Sequence, residues 1–309
     1  MNEEFFGETL SFDNWDELRN HLDSFYPSWV FRGQRRAKWP LQSSLERVAQ
    51  SYDPKFRMDL ERFFVFQFKR RAHNYLSSSL LPSDEGSSLE WLALMQHHGA
   101  PTRLLDFTKS PYVASFFAAE EAEDECAVWA IDTGWCRGEA QLKIIDRCDP
   151  IDFKSLDFQL RNPETLCKIV EKVFFETPPI SWVLPVEPYR MNERLTVQQG
   201  CFLCQGDVGH SFEENLVGSS EPDEVRNYVK KLVMPPETAK EALYDLYSMN
   251  INRASLFPGI DGFAQSLKHQ IVSRDEEHLV RMLEETLIDE KIEELRKKAA
   301  RPDPLSSID

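Results

Sequence analysis

The most constraining stretch of this 309-residue chain runs from Ser87 to Ala119, where polar and charged residues interrupt an otherwise apolar sequence. Ser87 and Glu90 have the spacing of a capping box, and the helix they open predicts a buried run through Trp91, Leu92, Leu94 and Met95 that stops at Gly99. Gln96, His97 and His98 fall in its last turn, before Gly99-Ala100-Pro101 breaks the helix. Adjacent helical residues project about 100° apart, so the two histidines do not share a metal, and one pocket histidine beside one structural histidine is expected. Thr102 to Thr108 then alternates Arg, Asp and Thr with Leu and Phe, and Ser110-Pro111 supplies an N-cap and a first helical residue for the next helix. Arg103 and Asp106 would be costly to bury alone, so they must pair with each other or fix neighbouring loops.

Composition sets the class around this unit. With 41% hydrophobic and 28% charged residues, 12 Gly and 18 Pro, the chain is that of a folded globular protein. No run approaches the roughly 18 apolar residues of a membrane helix, and the acidic start MNEEFFGETL lacks the basic and apolar regions of a signal peptide. A cytoplasmic protein with no membrane partner is expected. Its six cysteines are too sparse for a disulfide framework. Cys201 and Cys204, if on one strand, point to opposite faces and cannot chelate together, so no metal site is expected. The net charge is −16, yet Phe25 to Pro111 carries 13 basic against 8 acidic residues, leaving −21 for the rest. Overall acidity disfavours nucleic acid, whose affinity comes from phosphate neutralisation, whereas the basic segment suits a small anion.

Along the chain, Asp13 to Phe25 predicts a short helix, and Ser28 to Arg32 a strand that delivers Arg32 to its end before Gly33. Residues 56 to 76 predict a long helix whose phenylalanines pack in the core. A strand follows at Cys126 to Ile131, then a loop-rich middle up to Ser181. Arg194 to Leu203 predicts one or two strands interrupted at Gly200, and residues 231 to 234 another. Helices are predicted over Glu237 to Tyr247 and within Ile251 to Leu267, a charged amphipathic helix over 275 to 299, and a frayed tail from Arg301. The fold class is α+β: one large domain with a mixed or split β-sheet and flanking helices, plus a helical C-terminal extension. Residues 1–19 are expected as a helical cap, 20–269 as the domain and 270–309 as the charged helix and tail.

There is no Gly-x-Ser-x-Gly elbow, phosphate-cradling P-loop, Gly-x-Gly-x-x-Gly turn or His-Glu-x-x-His helix, so common hydrolase and kinase readings lose support. Three blocks, however, closely resemble the FRG domain family: Phe31-Arg32-Gly33-Gln34, Met95 to Thr108, and Arg194 with Gln198 to Phe202. Leu256 to Gly262 resembles what ends many such chains, and the likeness covers about residues 20 to 270. The family occurs chiefly in bacteria and their phages, which implies a role in phage–host conflict.

A more distant likeness links Arg32-Gly33 to the Arg-bearing first strand of ADP-ribosyltransferase-like folds, whose split sheet clasps NAD. This implies an NAD-binding or NAD-consuming protein, with a nucleotide ligand or a protein acceptor as partner. Arg32 would offer its planar donors to a phosphate or ribose oxygen, while Gly33 would let the backbone approach the nicotinamide amide. The same resemblance makes Gln34, Arg103, Asp106, Thr108 and Gln198 cofactor-binding candidates and Arg32, Gln199, Glu193 and His97 catalytic ones, with Phe107 or Tyr112 stacking on the ring. Such transferases place a Glu on a late strand, where this chain has Gln198 and Gln199; Glu187, Glu193 and Asp106 are the carboxylates nearest in sequence or motif. The alternative is a non-catalytic sensing or interaction module. In a purely structural reading, Arg32 pairs with Asp106, and Gln96, His97, Arg103 and Gln199 satisfy one another in a polar seam.

Overall fold

A computed structural model describes residues 7–82, 88–145, 153–171, 179–218, 220–272 and 276–299. The expected Ser87 cap and the tail from Arg301 lie outside the described residues. In chain order the elements are β1 (Glu8–Ser11), α1 (Trp15–Leu22), β2 (Trp29–Gln34), α2 (Ser44–Val48), α3 (Pro54–Ala72) and α4 (Ser88–His97). Next come β3 (Leu104–Thr108), α5 (Pro111–Ala119), β4 (Cys126–Asp132), α6 (Thr133–Ile144), α7 (Phe153–Arg161), α8 (Pro163–Val170) and β5 (Val183–Val186). The remainder is α9 (Glu193–Val197), β6 (Gly200–Gln205), α10 (Phe212–Val217), α11 (Pro222–Tyr228), β7 (Val229–Met234), α12 (Pro236–Ser248), α13 (Arg253–Leu256), α14 (Ile260–Val272) and α15 (Glu276–Ala299). The fold is the expected α+β domain.

Seven strands form one sheet in the order β1-β7-β4-β2-β3-β6-β5, mixed because β1 runs parallel to β7 while every other pair is antiparallel. Strand alternation divides the core. Trp29 and Phe31 of β2 face a cluster under α1, α5 and α12, whereas Val30 joins Phe107, Trp129 and Cys201 on the opposite face. Cys201 and Cys204 lie in different clusters, as their spacing requires. Among the described residues no group of side chains could hold a metal, and no helix is long and apolar enough to cross a membrane.

The sheet is split at its centre. Strand β2 makes six register pairs with β4, and β3 makes five with β6, yet β2 and β3 share only Phe31↔Thr108. Beyond that pair the strands diverge, and the backbone groups facing the gap need other partners.

Several local expectations are corrected. The loop-rich middle contains α6, α7 and α8; Asp132 caps α6 and Asn162 caps α8, and both α7 and α8 are amphipathic. Arg194 to Val197 is helical rather than a strand, because the Asn192 side chain accepts the Leu195 N–H and caps a short turn. Gly200 then starts β6 against the Leu195 side chain, which a Cβ would meet at 2.4 Å. The 1–19 segment expected as a helical cap also contributes β1 to the sheet edge. The phenylalanines of α3 are not all core: Phe64 and Phe68 pack inward, but Phe56, Phe63 and Phe66 are exposed. The buried anchor of that helix is a charge, Glu61.

Candidate functional site

The β2–β3 divergence opens into a cleft of about 640 Å³. Arg32 spans the split by donating from its guanidinium to the Asp106 carbonyl oxygen at 2.7 Å, where an intact ladder would have placed a strand N–H. Its Nε is sealed from solvent without a hydrogen-bond partner. Burial pushes Arg32 below its ordinary pKa, Asp106 partly offsets this, and nearby Arg47 pushes it down further. An arginine keeps its proton under such pressure, so the cleft holds a desolvated cation with an unused donor.

Two more arginines reach the same space. Arg47 comes from α2, which is fastened to the entrance of β3: Leu45 N–H donates to the Thr102 carbonyl at 3.0 Å, and Thr102 N–H donates to Ser44 Oγ at 3.0 Å. Arg194 comes from α9 and lies 4.6 Å from the Phe257 ring centroid. Burial lowers its pKa too, against the pull of Asp106. Among the described residues Arg32, Arg47 and Arg194 make no ion pair, whereas Arg35 and Arg253 in the same cleft bind Glu121 and Glu120, each at 2.6 Å. Arg47 and Arg194 are exposed and Arg32 is half-buried, and only the field of the Asp106 carboxylate offsets the charge of Arg32 and Arg194.

The sequence blocks converge on this cleft. Thr108 Oγ1 donates to the Gln198 carbonyl at 2.7 Å, and Gln198 Nε2 donates to the Leu256 carbonyl at 3.0 Å, tying β3, α9 and α13 into one wall. Asp106, Thr108 and Gln198 all line it. Phe107 lines it as well, but Tyr112 turns away to Asp23; Phe117, Phe257 and Trp39 supply the other aromatic faces. Trp39 lies under the guanidinium groups of Arg35 and Arg36, at 5.2 and 5.7 Å.

Gly33 and Gln34 also line the cleft, and both are tied into the scaffold. A Cβ on Gly33 would lie 2.1 Å from the Ala114 carbonyl oxygen, so the close seating of α5 on β2 requires a glycine here. The Gln34 amide is used at both ends, accepting from Trp129 Nε1 at 2.7 Å and donating to the Pro40 carbonyl at 3.0 Å. Arg103 is fully buried outside the cleft, its guanidinium against the carboxylate of Glu61 and the carbonyls of Gln205 and Gly206. It does not pair with Asp106. Gln199 is exposed at φ +48°, its side chain outside the cleft, while Lys109 N–H donates to its carbonyl. Glu193 is exposed in the first turn of α9 and does not line the cleft. His97 and His98 are both exposed, rings 4.9 Å apart, so neither is the expected structural histidine. The structural reading in which Arg32 meets the Asp106 carboxylate is corrected: Arg32 bonds its backbone carbonyl.

Asp106 itself accepts from Gln96 Nε2 at 2.7 Å, and Gln96 Oε1 accepts from Thr102 Oγ1 at 2.6 Å, which fixes the carboxylate from behind. The residues that sequence reasoning missed are Arg47, Arg253, Phe257 and Glu61. Arg47, Arg253 and Glu61 lie in helices α2, α13 and α3 and Phe257 just after α13, and only the Leu256 to Gly262 block gives a sequence signal near any of them.

Residues 27–126 match the model of the FRG domain, from the start of β2 to the start of β4. The blocks around Arg194 and Leu256 lie beyond the matched residues. Searches of the curated proteins and of the solved structures find no match.

Proposed function

We propose that the split-sheet cleft of this FRG domain binds a phosphate-bearing dinucleotide, with NAD the ligand that its chemistry fits best. The observation that carries this reading is the convergence of Arg32, Arg47 and Arg194 without ion pairs in one partly desolvated cleft. These guanidinium groups, one of which keeps a buried donor unused, present planar forks that match phosphate oxygens. The Phe117, Phe257 and Trp39 rings provide faces for a base or a pyridine ring, and about 640 Å³ lies within the range of small-molecule sites. When bound, NAD would bring a labile bond between its pyridinium nitrogen and a ribose carbon. Arg32 and Arg194 would hold the pyrophosphate, Arg47 would add charge at the mouth, and the Thr108–Gln198–Leu256 wall would fix the cleft's width.

The cytoplasm suits a ligand of this kind, and the cleft's three tied elements also serve a sensing module that only binds. That second reading is favoured by one observation: the Gln198 amide, in the stretch where the resemblance would place a carboxylate, is a neutral group engaged with the Leu256 carbonyl.

The test is isothermal calorimetry with NAD, and with ADP-ribose and inorganic pyrophosphate as partial ligands. The wild type should bind NAD with a Kd that rises as salt is added, and Arg32→Ala and Arg194→Ala should each weaken binding at least tenfold, the exposed Arg194→Ala without lowering Tm. Equal binding by wild type and Arg32→Ala, or no heat with any of the three, overturns the reading.

A further inference from the structure

We infer that Asp106 is the catalytic carboxylate of this cleft, and that a second, smaller pocket behind it receives the nucleophile. This rests on the dinucleotide reading above and adds a reaction to it. Three carboxylates line the main cleft. Glu120 is bound to Arg253 and Glu121 to Arg35, so both already compensate a cation. Asp106 makes no ion pair among the described residues; Arg32 spends its nearest donor on the backbone carbonyl instead. The Asp106 side chain is exposed, on the opposite strand face from Leu105 and Phe107, and is aimed by Gln96. Among the described residues it is therefore the one cleft carboxylate not held in an ion pair, although its field reaches Arg32 and Arg194.

The second observation is independent. A pocket of about 70 Å³ adjoins the cleft and shares Asp106, Arg194 and Gln198 with it. Its remaining wall includes Gln96, His97 and Asn192. This space suits a water molecule or a single side-chain hydroxyl, and is too small for a nucleotide. Asp106 thus stands between a large cationic chamber and a small polar one. The imidazole of His97 faces the small one and is held below its ordinary pKa, first by burial and then by His98 and Arg194, so it is neutral and able to take a proton at pH 7.

The chemistry follows from that placement. As the bond from the ribose carbon to the pyridinium nitrogen breaks, its electron pair leaves with the nitrogen and positive charge builds on the carbon. Asp106 stabilises that charge across the mouth of the small pocket. An oxygen held in the small pocket forms the new bond to the carbon, and its proton passes to His97. With water the products are ADP-ribose, nicotinamide and one proton; with a hydroxyl-bearing acceptor the ADP-ribosyl group is transferred. No oxidant or reductant is consumed. Gln96 is a positioning residue, acting through Asp106.

The experiment compares NAD affinity and nicotinamide release in the full chain, for wild type, Asp106→Asn, Asp106→Glu, His97→Gln and Gln96→Leu. We expect Asp106→Asn to bind NAD within about threefold of wild type and to melt at the same temperature, while release falls at least 100-fold. Asp106→Glu should recover part of the rate. His97→Gln should flatten the acid limb of the rate–pH profile, and Gln96→Leu should lower kcat with KM nearly unchanged. If the wild type binds NAD but Asp106→Asn releases nicotinamide at the wild-type rate, or the wild type releases none, the inference fails while the dinucleotide reading stands. If the wild type does not bind NAD, both fail.

Discussion

Replacing Arg103 by Met separates scaffold from site more sharply than any change in the cleft. Arg103 and Glu61 are both fully buried. The arginine Nε donates to both carboxylate oxygens at 2.9 Å, and Nη1 reaches the Gln205 and Gly206 carbonyls at 3.3 and 3.1 Å. Methionine fills most of the volume but leaves Glu61 charged, unhydrated and without its counterion. Stranding one member of a buried ion pair costs about 3–5 kcal/mol, and two carbonyls also lose their donor. Urea titration of Arg103→Met should therefore show a fall in stability of that size at unchanged m-value. The double variant Arg103→Met with Glu61→Leu removes both charges, and since apolar replacement of a buried pair is often neutral, it should recover most of the loss. NAD affinity measured well below the unfolding transition should match wild type in both. The reasoning is refuted if Arg103→Met costs less than about 1 kcal/mol, or abolishes binding while the double variant remains as stable as wild type.

Gly33→Ala should destabilise by about 1–3 kcal/mol or more, because the added methyl meets the α5 backbone at the Ala114 carbonyl oxygen and at Ala118 N. Thermal melts check this, and an unchanged Tm with lost binding would return Gly33 to the ligand. Gln199→Gly should leave NAD binding unchanged and raise stability by up to about 1 kcal/mol, since φ +48° is a conformation glycine adopts freely; weaker binding from a stable variant would place Gln199 in the site. His21, packed between Phe12 and Phe25, has its pKa lowered chiefly by burial. The native state therefore binds fewer protons than the unfolded chain, so this contribution is complete above the unfolded value of 6.5 and is lost as pH falls through the lower folded value. His21→Gln should flatten the decline in stability between about pH 7 and 5, and an unaltered slope would contradict the assignment.

Element types near the cleft were legible where one local signal sufficed. Ser110-Pro111 starts α5 as a cap and first residue should, and β2, β4 and β7 follow their branched and aromatic runs. The α9 segment was read as strand because Arg194-Leu195-Thr196-Val197 has strand composition, and a single Asn192 cap decides it otherwise. Arg103 shows the limit of motif reading. An arginine amid leucines looks the same in sequence whether it serves a ligand or an internal carboxylate, and its partner lies 42 positions away on a helix whose pattern predicts buried phenylalanines. Gly33 likewise signals a missing Cβ without naming the neighbour, because close approach by the α5 helix and by a ligand in the cleft leave the same mark.

The split between β2 and β3 ties these points together. Once the ladder stops at Phe31↔Thr108, the Asp106 carbonyl loses a strand partner, and Arg32 is the side chain that replaces it. The arginine is thus anchored by one donor with others left over, which is the condition for a structural residue to bind a ligand as well. A lysine at this position could make the same single bond but would present a compact charge on a flexible stem, without the second edge of a rigid fork. Arg32→Lys should therefore keep the fold, with Tm close to wild type, and still lose NAD affinity at least tenfold. If Arg32→Lys instead binds as wild type does, the fork geometry is not what the cleft uses, and the cation alone accounts for its attraction to phosphate.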